Sequence, residues 1–292
     1  IGMLFIPMLY FLVFWVFVNF DTIILSFQRF DIDKKDYYFC GWTNYKQIFR
    51  EFAASDGLIK TAFVNSFLIF LWNDVVLLFT SLFFAYVLHR GMKGAQAFRV
   101  IFFIPSIISA VVLTMVFGFM FDTNVGLFPE LLRALGLKSW IPKTGFLAGK
   151  TAFPMLLIYG LWSGIGNNVV LLNGAIKRIP PEIFEAAALD GAGRFGRIWH
   201  ITLPAIKPTI VILLIMKVGG MMSVGHEKIL LLYNEAIYET ADVISTYTYR
   251  RGLLKGDYSF STAVGLFNSV INLVLLVAAN AFSREFTESG LF

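Results

Sequence analysis

Several residue types are scarce in this chain of 292 residues, and each scarcity excludes a class of site. There is one cysteine, Cys40, so neither an intrachain disulfide nor a thiolate metal cluster can form. Only 15% of residues are charged, against about a quarter in a soluble domain. The Lys and Arg residues form no continuous basic stripe, which argues against nucleic-acid binding.

Apolar residues are abundant instead, at 58% of the chain, and they fall into six blocks. Each block is long enough to cross a hydrocarbon core of about 30 Å as a helix. The alternation typical of membrane β-strands is absent, so we predict an all-α integral membrane protein with six transmembrane helices in a single domain over 1–292, its core at about 61–284. The predicted spans are 3–27, 62–88, 100–121, 152–172, 209–232 and 262–282.

The stretch between the fourth and fifth spans has the pattern of a short helix followed by a turn. Pro181 suits a first helical turn, and Glu182 and Glu185 suit the positive end of a helix. Gly191 can end the helix with a left-handed residue, after which a second short helix begins and Pro204 breaks the chain before the next span. A docking element for a partner and an ordinary amphipathic connector both fit this pattern.

A resemblance distinguishes these readings. Glu185-Ala186-Ala187, Asp190-Gly191-Ala192, Phe195 and Ile201-Thr202-Leu203-Pro204 resemble the EAA loop of binding-protein-dependent ABC importer permeases. The later segments Tyr238–Val243 and Tyr258–Ala263 are similar to the carbohydrate branch, especially permeases for complex oligosaccharides. The resemblance implies a multi-pass subunit of the bacterial inner membrane, with the coupling loop 174–208 in the cytoplasm and both termini inside.

The resemblance also implies what the chain works with. Expected partners are a second permease subunit, of a different sequence, two cytoplasmic ATPase subunits, an extracytoplasmic solute-binding protein and the oligosaccharide. The chain itself is expected to be no enzyme and to hold no cofactor, with ATP and Mg on the ATPase subunits. The coupling helix that docks into the ATPase would comprise Glu185, Ala186, Ala187, Ala188, Asp190 and Gly191, with Glu185 pairing with a basic residue there.

Polar residues within the spans are candidates for the sugar path, because such groups are costly in lipid and usually face a cavity or another helix. Members of the carbohydrate branch contact substrate on the spans that flank the EAA loop. The candidates are therefore Trp162, Gly164, Asn167, Asn168, Ser223, His226 and Glu227. Hydrogen bonding between packed helices is the alternative role for each of them. Asp74 needs a partner within the membrane, and Lys217 is the candidate.

Two other functions are less consistent with the sequence. An ion-gradient-coupled secondary sugar transporter would use Asp74, Lys217 and Glu227 as relay groups, and it predicts an inverted repeat that the sequence does not show. A nucleotide site at 144–151 is disfavoured, because Thr144 replaces the first glycine of the P-loop pattern and no nucleotide-binding domain surrounds it. His226 and Glu227 are adjacent and point in different directions on a helix, which argues against a metal site.

Overall fold

The computed structural model describes residues 2–54, 57–219, 226–232 and 238–287, and these ranges are predominantly helical. The chain forms two compact units, residues 1–66 with 242–273 and residues 67–241 with 274–292. The single domain predicted over 1–292 stays a prediction, because a domain is defined by independent folding and a compact unit only by internal packing.

Fifteen α-helices and two strands can be assigned in the described residues. In chain order they are α1 (Gly2–Tyr10), α2 (Val18–Ser26), β1 (Gln28–Asp31), β2 (Asp36–Phe39), α3 (Thr43–Ala53), α4 (Leu58–His89), α5 (Ala95–Ile107), α6 (Ala110–Met120), α7 (Leu127–Ala134), α8 (Ala152–Ile176), α9 (Pro181–Leu189), α10 (Arg194–Arg197), α11 (Leu203–Gly219), α12 (His226–Leu232), α13 (Tyr238–Ala241), α14 (Ile244–Tyr249) and α15 (Tyr258–Thr287). Short π-helical segments at Phe11–Phe17, Ile198–Thr202 and Arg250–Leu254 join or extend their neighbours.

Five helical stretches of the described chain are long and apolar enough to cross a membrane. They are Leu4–Ser26, Leu58–His89, Gly149–Ile176, Arg194–Val218 and Tyr258–Arg284. The pair α5 and α6 passes the same test together, which gives six spans if the pair counts as one. Helical membrane architecture is thus confirmed.

The third predicted span is wrong as a single helix, because α5 and α6 meet at an angle of 109°. Ile108 and Ser109, which separate α5 from α6, have extended ψ values of 140° and 138°, and these end the helix. Pro105 lies in the last turn of α5 and lacks the N–H that would continue the hydrogen-bond ladder. The sequence therefore carried a helix-ending signal inside an uninterrupted apolar block.

The fifth span begins much earlier than predicted, and Pro204 does not break it. Helix runs without interruption from Arg194 to Val218 through the π-helical turn Ile198–Thr202. Pro204 follows directly after this turn, where the hydrogen-bond register already changes, so its missing N–H does not stop the helix. The predicted end at 232 stays a prediction, because residues 220–225, between α11 and α12, lie outside the described residues.

A β-hairpin in the first unit departs from the all-helical prediction. Its strands pair antiparallel, with Gln28 opposite Phe39 and Asp31 opposite Asp36. The Asp31 carboxylate accepts the backbone N–H groups of Asp33 and Lys34, at 3.0 and 3.3 Å, and so stabilises the turn. An alternation of only four residues per strand is too short to be recognised among aromatic and charged neighbours.

The core of the second unit is built around α8, where glycines admit neighbouring helices. A Cβ atom on Gly160 would lie 2.9 Å from the Asn73 side-chain oxygen, and one on Gly164 would lie 2.9 Å from a Leu77 methyl carbon. At Gly166, a Cβ would overlap the backbone carbonyl of Phe102. Helices α4 and α5 therefore approach α8 as closely as small-residue contacts allow in membranes.

Candidate functional site

The predicted coupling helix forms at α9, and its two ends explain why it is short. Pro181 occupies the first helical position, and Glu182 lies in the first turn. At the other end Gly191 has φ +76°. The N–H of Ala192 donates to the Ala187 carbonyl at 2.9 Å, and the N–H of Gly191 donates to the Ala188 carbonyl at 3.2 Å. These two bonds are a Schellman motif, which confirms the predicted left-handed end.

Helix α9 is anchored on one side only. Phe184 packs against the buried cluster that contains Ile176, Ile179 and Ile206, and its ring lies 6.4 Å from that of His89. Ala187 is half-buried. The remaining predicted coupling residues are exposed, and they are Glu185, Ala186, Ala188, Asp190 and Gly191. The single-chain fold therefore holds the base of α9 and leaves its outer face available.

Large apolar side chains at the end of α9 and after it are also exposed. Phe195 is part of the EAA-like motif in the sequence, but none of these side chains was predicted to have a docking role. Leu189 is 90% exposed, Phe195 79% and Trp199 66%. Leu189 lies outside the spans, where an exposed large apolar side chain marks a surface for a partner. Phe195 and Trp199 lie in the first turns of the apolar stretch Arg194–Val218. The available signal was the presence of aromatic and aliphatic residues in a connector whose other positions are small or charged.

Among the predicted path residues on α8, Trp162 and Asn167 differ in their surroundings. Trp162 is half-buried, with its ring 5.9 Å from Phe117 and 6.3 Å from Tyr159. Asn167 is exposed at mid-helix. An exposed amide at that depth needs water, a ligand or another subunit beside it, because lipid offers it no hydrogen bond.

Gly164 and Asn168 lie in the seam between α8 and α4. The contacts of Gly160 with Asn73 and of Gly164 with Leu77 set a parallel register, in which the next level is Asn168 beside Ser81. Both of these side chains are buried, and Asn168 Nδ2 and Ser81 Oγ make no hydrogen bond in the described residues. The close contact at Gly164 fits helix packing, and contact with substrate stays a prediction for both Gly164 and Asn168.

The side chains of the other three predicted path residues lie outside what the structure describes. Ser223 lies outside the described residues. His226 and Glu227 begin α12, but their side chains also lie outside what the structure describes. In the described part of the chain, no three His, Cys, Asp or Glu residues are grouped to hold a metal ion.

The predicted partnership of Asp74 with Lys217 is confirmed. The Lys217 Nζ atom lies 3.4 Å from Asp74 Oδ1 and 3.5 Å from the backbone oxygen of Asn73. Lys217 is in the last turn of α11, where the helix dipole favours a cation. This ion pair joins the second and fifth spans.

A profile of the family described as the binding-protein-dependent transport system inner membrane component matches residues 77–288. The chain belongs to this family. It is therefore a transport subunit of the inner membrane, and the matched range includes α9 and all the predicted site residues.

Two curated relatives from Bacillus subtilis (strain 168) are each 36% identical to this permease chain. One is Protein LplB, aligned over 65% of this chain and 59% of its own length. The other is the polygalacturonan/rhamnogalacturonan transport system permease protein YteP, aligned over 66% of this chain and 60% of its own length. The chain thus spans about three fifths of these relatives.

A solved structure covers nearly the whole permease chain. It is the crystal structure of a bacterial alginate ABC transporter in complex with an alginate pentasaccharide-bound periplasmic protein. The similar chain in it matches with a TM-score of 0.86 and 29% identity over 99% of this chain and 95% of that chain. The comparisons give the secondary-transporter alternative no support.

Proposed function

We propose that this permease chain is one membrane subunit of an ATP-driven, binding-protein-dependent importer of oligosaccharides. The observation that carries the proposal is the one-sided anchoring of α9. Phe184 ties the helix to the ends of the spans, while Glu185 and the apolar side chains of Leu189 and Phe195 remain exposed. A helix held in this way transmits a push on its outer face to the spans.

The partner expected at α9 is a cytoplasmic ATPase subunit, with ATP and Mg bound there and not on this chain. Glu185 would pair with a basic side chain of the ATPase, and Leu189 and Phe195 would fill an apolar groove. Closure of two ATPase subunits on ATP would move the docked helices and alternate the access of the path. Gly191 sets the angle at which the chain leaves the docked helix.

A second permease subunit is supported by apolar surface that the chain leaves uncovered. The most apolar part of Leu4–Ser26 buries no residue inside the chain, and that of Tyr258–Arg284 is only 11% buried. A neighbouring subunit would cover part of this surface by helix packing. We expect that subunit to differ in sequence, which native mass spectrometry of the purified complex measures.

The proposed cargo is an oligosaccharide, which is supported by the relatives named for polygalacturonan, rhamnogalacturonan and alginate transport. Trp162 and Asn167 are the path residues whose surroundings best suit a sugar, since a sugar needs an aromatic face and amide hydrogen bonds. Replacing either with alanine should reduce uptake while the ATPase still copurifies.

The deciding experiment is substitution Glu185→Lys in the complete transporter reconstituted in liposomes. We expect ATP-driven uptake to fall at least about tenfold, because a like charge replaces a charge-assisted contact, while the melting temperature of the purified permease is unchanged. Glu130→Lys is the matched control, since Glu130 is likewise an exposed acid on a short helix. Uptake that persists without ATP under an ion gradient would overturn the proposal.

A further inference from the structure

A cavity of about 290 Å³ in the first unit is lined by several charged side chains. The function proposed above gives these side chains no role. It lies between the end of α3, the start of α4 and the π-helical turn that follows α14. The lining residues are Glu51, Ala54, Gly57, Leu58, Tyr247, Arg250, Arg251 and Lys255.

The walls of the cavity are fixed by a buried polar network. The Asp242 carboxylate is fully buried, accepts a hydrogen bond from Thr246 at 2.7 Å and pairs with Arg250 at 2.5 Å. Asn65 donates to the Asp242 backbone oxygen at 2.9 Å, and Ser66 accepts the N–H of Ile244 at 3.0 Å. These contacts hold the start of α14 against α4.

Two of the lining groups satisfy each other. The Tyr247 hydroxyl donates to Glu51 Oε2 at 3.1 Å, while Gln47 donates to Glu51 Oε1 at 2.8 Å. Burial, and then the neighbouring Glu51 carboxylate, raises the pKa of Tyr247 above its ordinary value, so the hydroxyl keeps its proton. Glu51 is the one carboxylate among the described lining residues, and both of its oxygens are therefore occupied.

Two cationic side chains of the lining, Arg251 and Lys255, have fewer partners than Glu51. Arg251 uses Nε for Asp257, at 3.1 Å, and its terminal nitrogens donate to no group in the described residues. Lys255 is exposed and makes no ion pair within the described part of the chain. The Arg251 guanidinium lies over the Phe260 ring, 5.0 Å from its centroid, and lines the cavity together with the Lys255 ammonium group, a combination that suits a carboxylate.

The side of the membrane follows from α4. The end of α4 lies beside the coupling helix, since His89 is near Phe184 and Asn173 of α8 donates to the Ala85 carbonyl at 2.9 Å. Leu58 is at the opposite end of this 32-residue helix, which is long and apolar enough to cross a membrane. If α9 faces the cytoplasm as proposed above, the cavity opens on the extracytoplasmic side.

We propose that this cavity receives an Asp or Glu side chain of the extracytoplasmic solute-binding protein when that protein docks. Small-molecule pockets are about 300–1,000 Å³, so this cavity admits one side chain or one sugar ring and not an oligosaccharide. Its lining also lies outside the apolar spans, apart from Leu58 at the start of α4. The inference rests on the proposed importer function and adds a specific contact to it.

The test measures ATPase stimulation in the reconstituted complete transporter as purified binding protein is titrated with saturating sugar. Lys255→Glu should raise the half-maximal concentration about tenfold, Lys255→Ala about threefold, and Lys255→Arg should act as wild type. The shift should shrink as salt rises, because salt screens exposed charges. The matched control is Lys143→Ala, which removes an exposed lysine from the loop that precedes α8.

A charge-reversal variant of the binding protein tests the contact directly. An Asp→Lys or Glu→Lys substitution in the binding protein that restores stimulation to Lys255→Glu would support the contact. An unchanged half-maximal concentration for Lys255→Glu would overturn it. Loss of subunit assembly, or a shift in sugar dependence at saturating binding protein, would also overturn it. If wild type shows no stimulation at all, the importer function itself fails.

Discussion

Helices α8 and α9 are consecutive in the chain, yet their surroundings are opposite. Along α8, twelve residues are buried, and at three glycines a methyl group would press on α4 or α5. Along α9 no residue is buried, and Phe184 alone reaches the core cluster. Burial within its own chain fixes the position of α8 among the spans. Exposure of α9 leaves most of its surface free to contact another subunit.

The largest expected effect is at Gly166, where α8 touches the backbone of α5. Gly166→Leu should destabilise the permease by about 3 kcal/mol, because the overlap is with a carbonyl that no rotamer change can move. Gly174→Leu is the matched control on the same helix, since a Cβ there meets nothing within 4 Å. Equal thermal unfolding temperatures for the two detergent-solubilised variants would show that the seam is not close-packed.

The next effect is at the ion pair between the second and fifth spans. Asp74→Ala and Lys217→Ala should each cost about 2 kcal/mol, because each leaves its partner charged within the membrane. The double variant should cost less than the sum, since it leaves no unpaired charge. A double-mutant cycle of unfolding free energies measures the coupling, and strict additivity would mean that the pair contributes nothing.

A smaller effect is expected where α9 ends. Gly191→Ala should cost about 1 kcal/mol, because φ of +76° disfavours any side chain even in open space. Gly193→Ala supplies the comparison, as Gly193 has φ −68° and equally open surroundings. Hydrogen exchange of the α9 amides reports the difference, and indistinguishable protection would rule out a role for the left-handed residue.

The smallest effect on stability, and the clearest on function, is expected at Leu189. Leu189→Ser should change the free energy of unfolding by less than about 0.5 kcal/mol, because the side chain is 90% exposed. The same change should weaken copurification of the ATPase. If the ATPase yield is unchanged while stability falls, α9 supports only its own chain.

Much of the candidate site follows from local sequence. Pro181, Glu182 and Gly191 specify the start and end of α9 through backbone preferences that neighbours scarcely alter, so its bounds were predicted correctly. Exposure of Leu189 and Phe195 was not predictable in this way. Their apolar character fits a buried position equally well, and only the packing of Phe184 shows which side of the helix is covered.

Similar limits apply to the spans. Apolar length predicted where helices occur, because a membrane-crossing helix must be long and apolar. It missed the 109° bend between α5 and α6 and the continuity of helix through Pro204, since a proline's effect depends on whether its turn needs the lost hydrogen bond. Polar residues in the spans had several possible partners, and the sequence was specific enough only for Asp74 and Lys217, the two opposite charges.

Sequence by itself determined that the chain crosses a membrane as helices, and that a short, capped helix interrupts them at 181–189. These properties are local, because they depend on hydrophobicity, helix length and the conformations open to proline and glycine. Tertiary structure alone decided that Gly164 and Asn168 face α4, that Asn167 does not, and that Lys255 borders a cavity with Glu51. Residues so far apart in the chain meet only when the helices pack, and close packing at glycines decides which faces are covered.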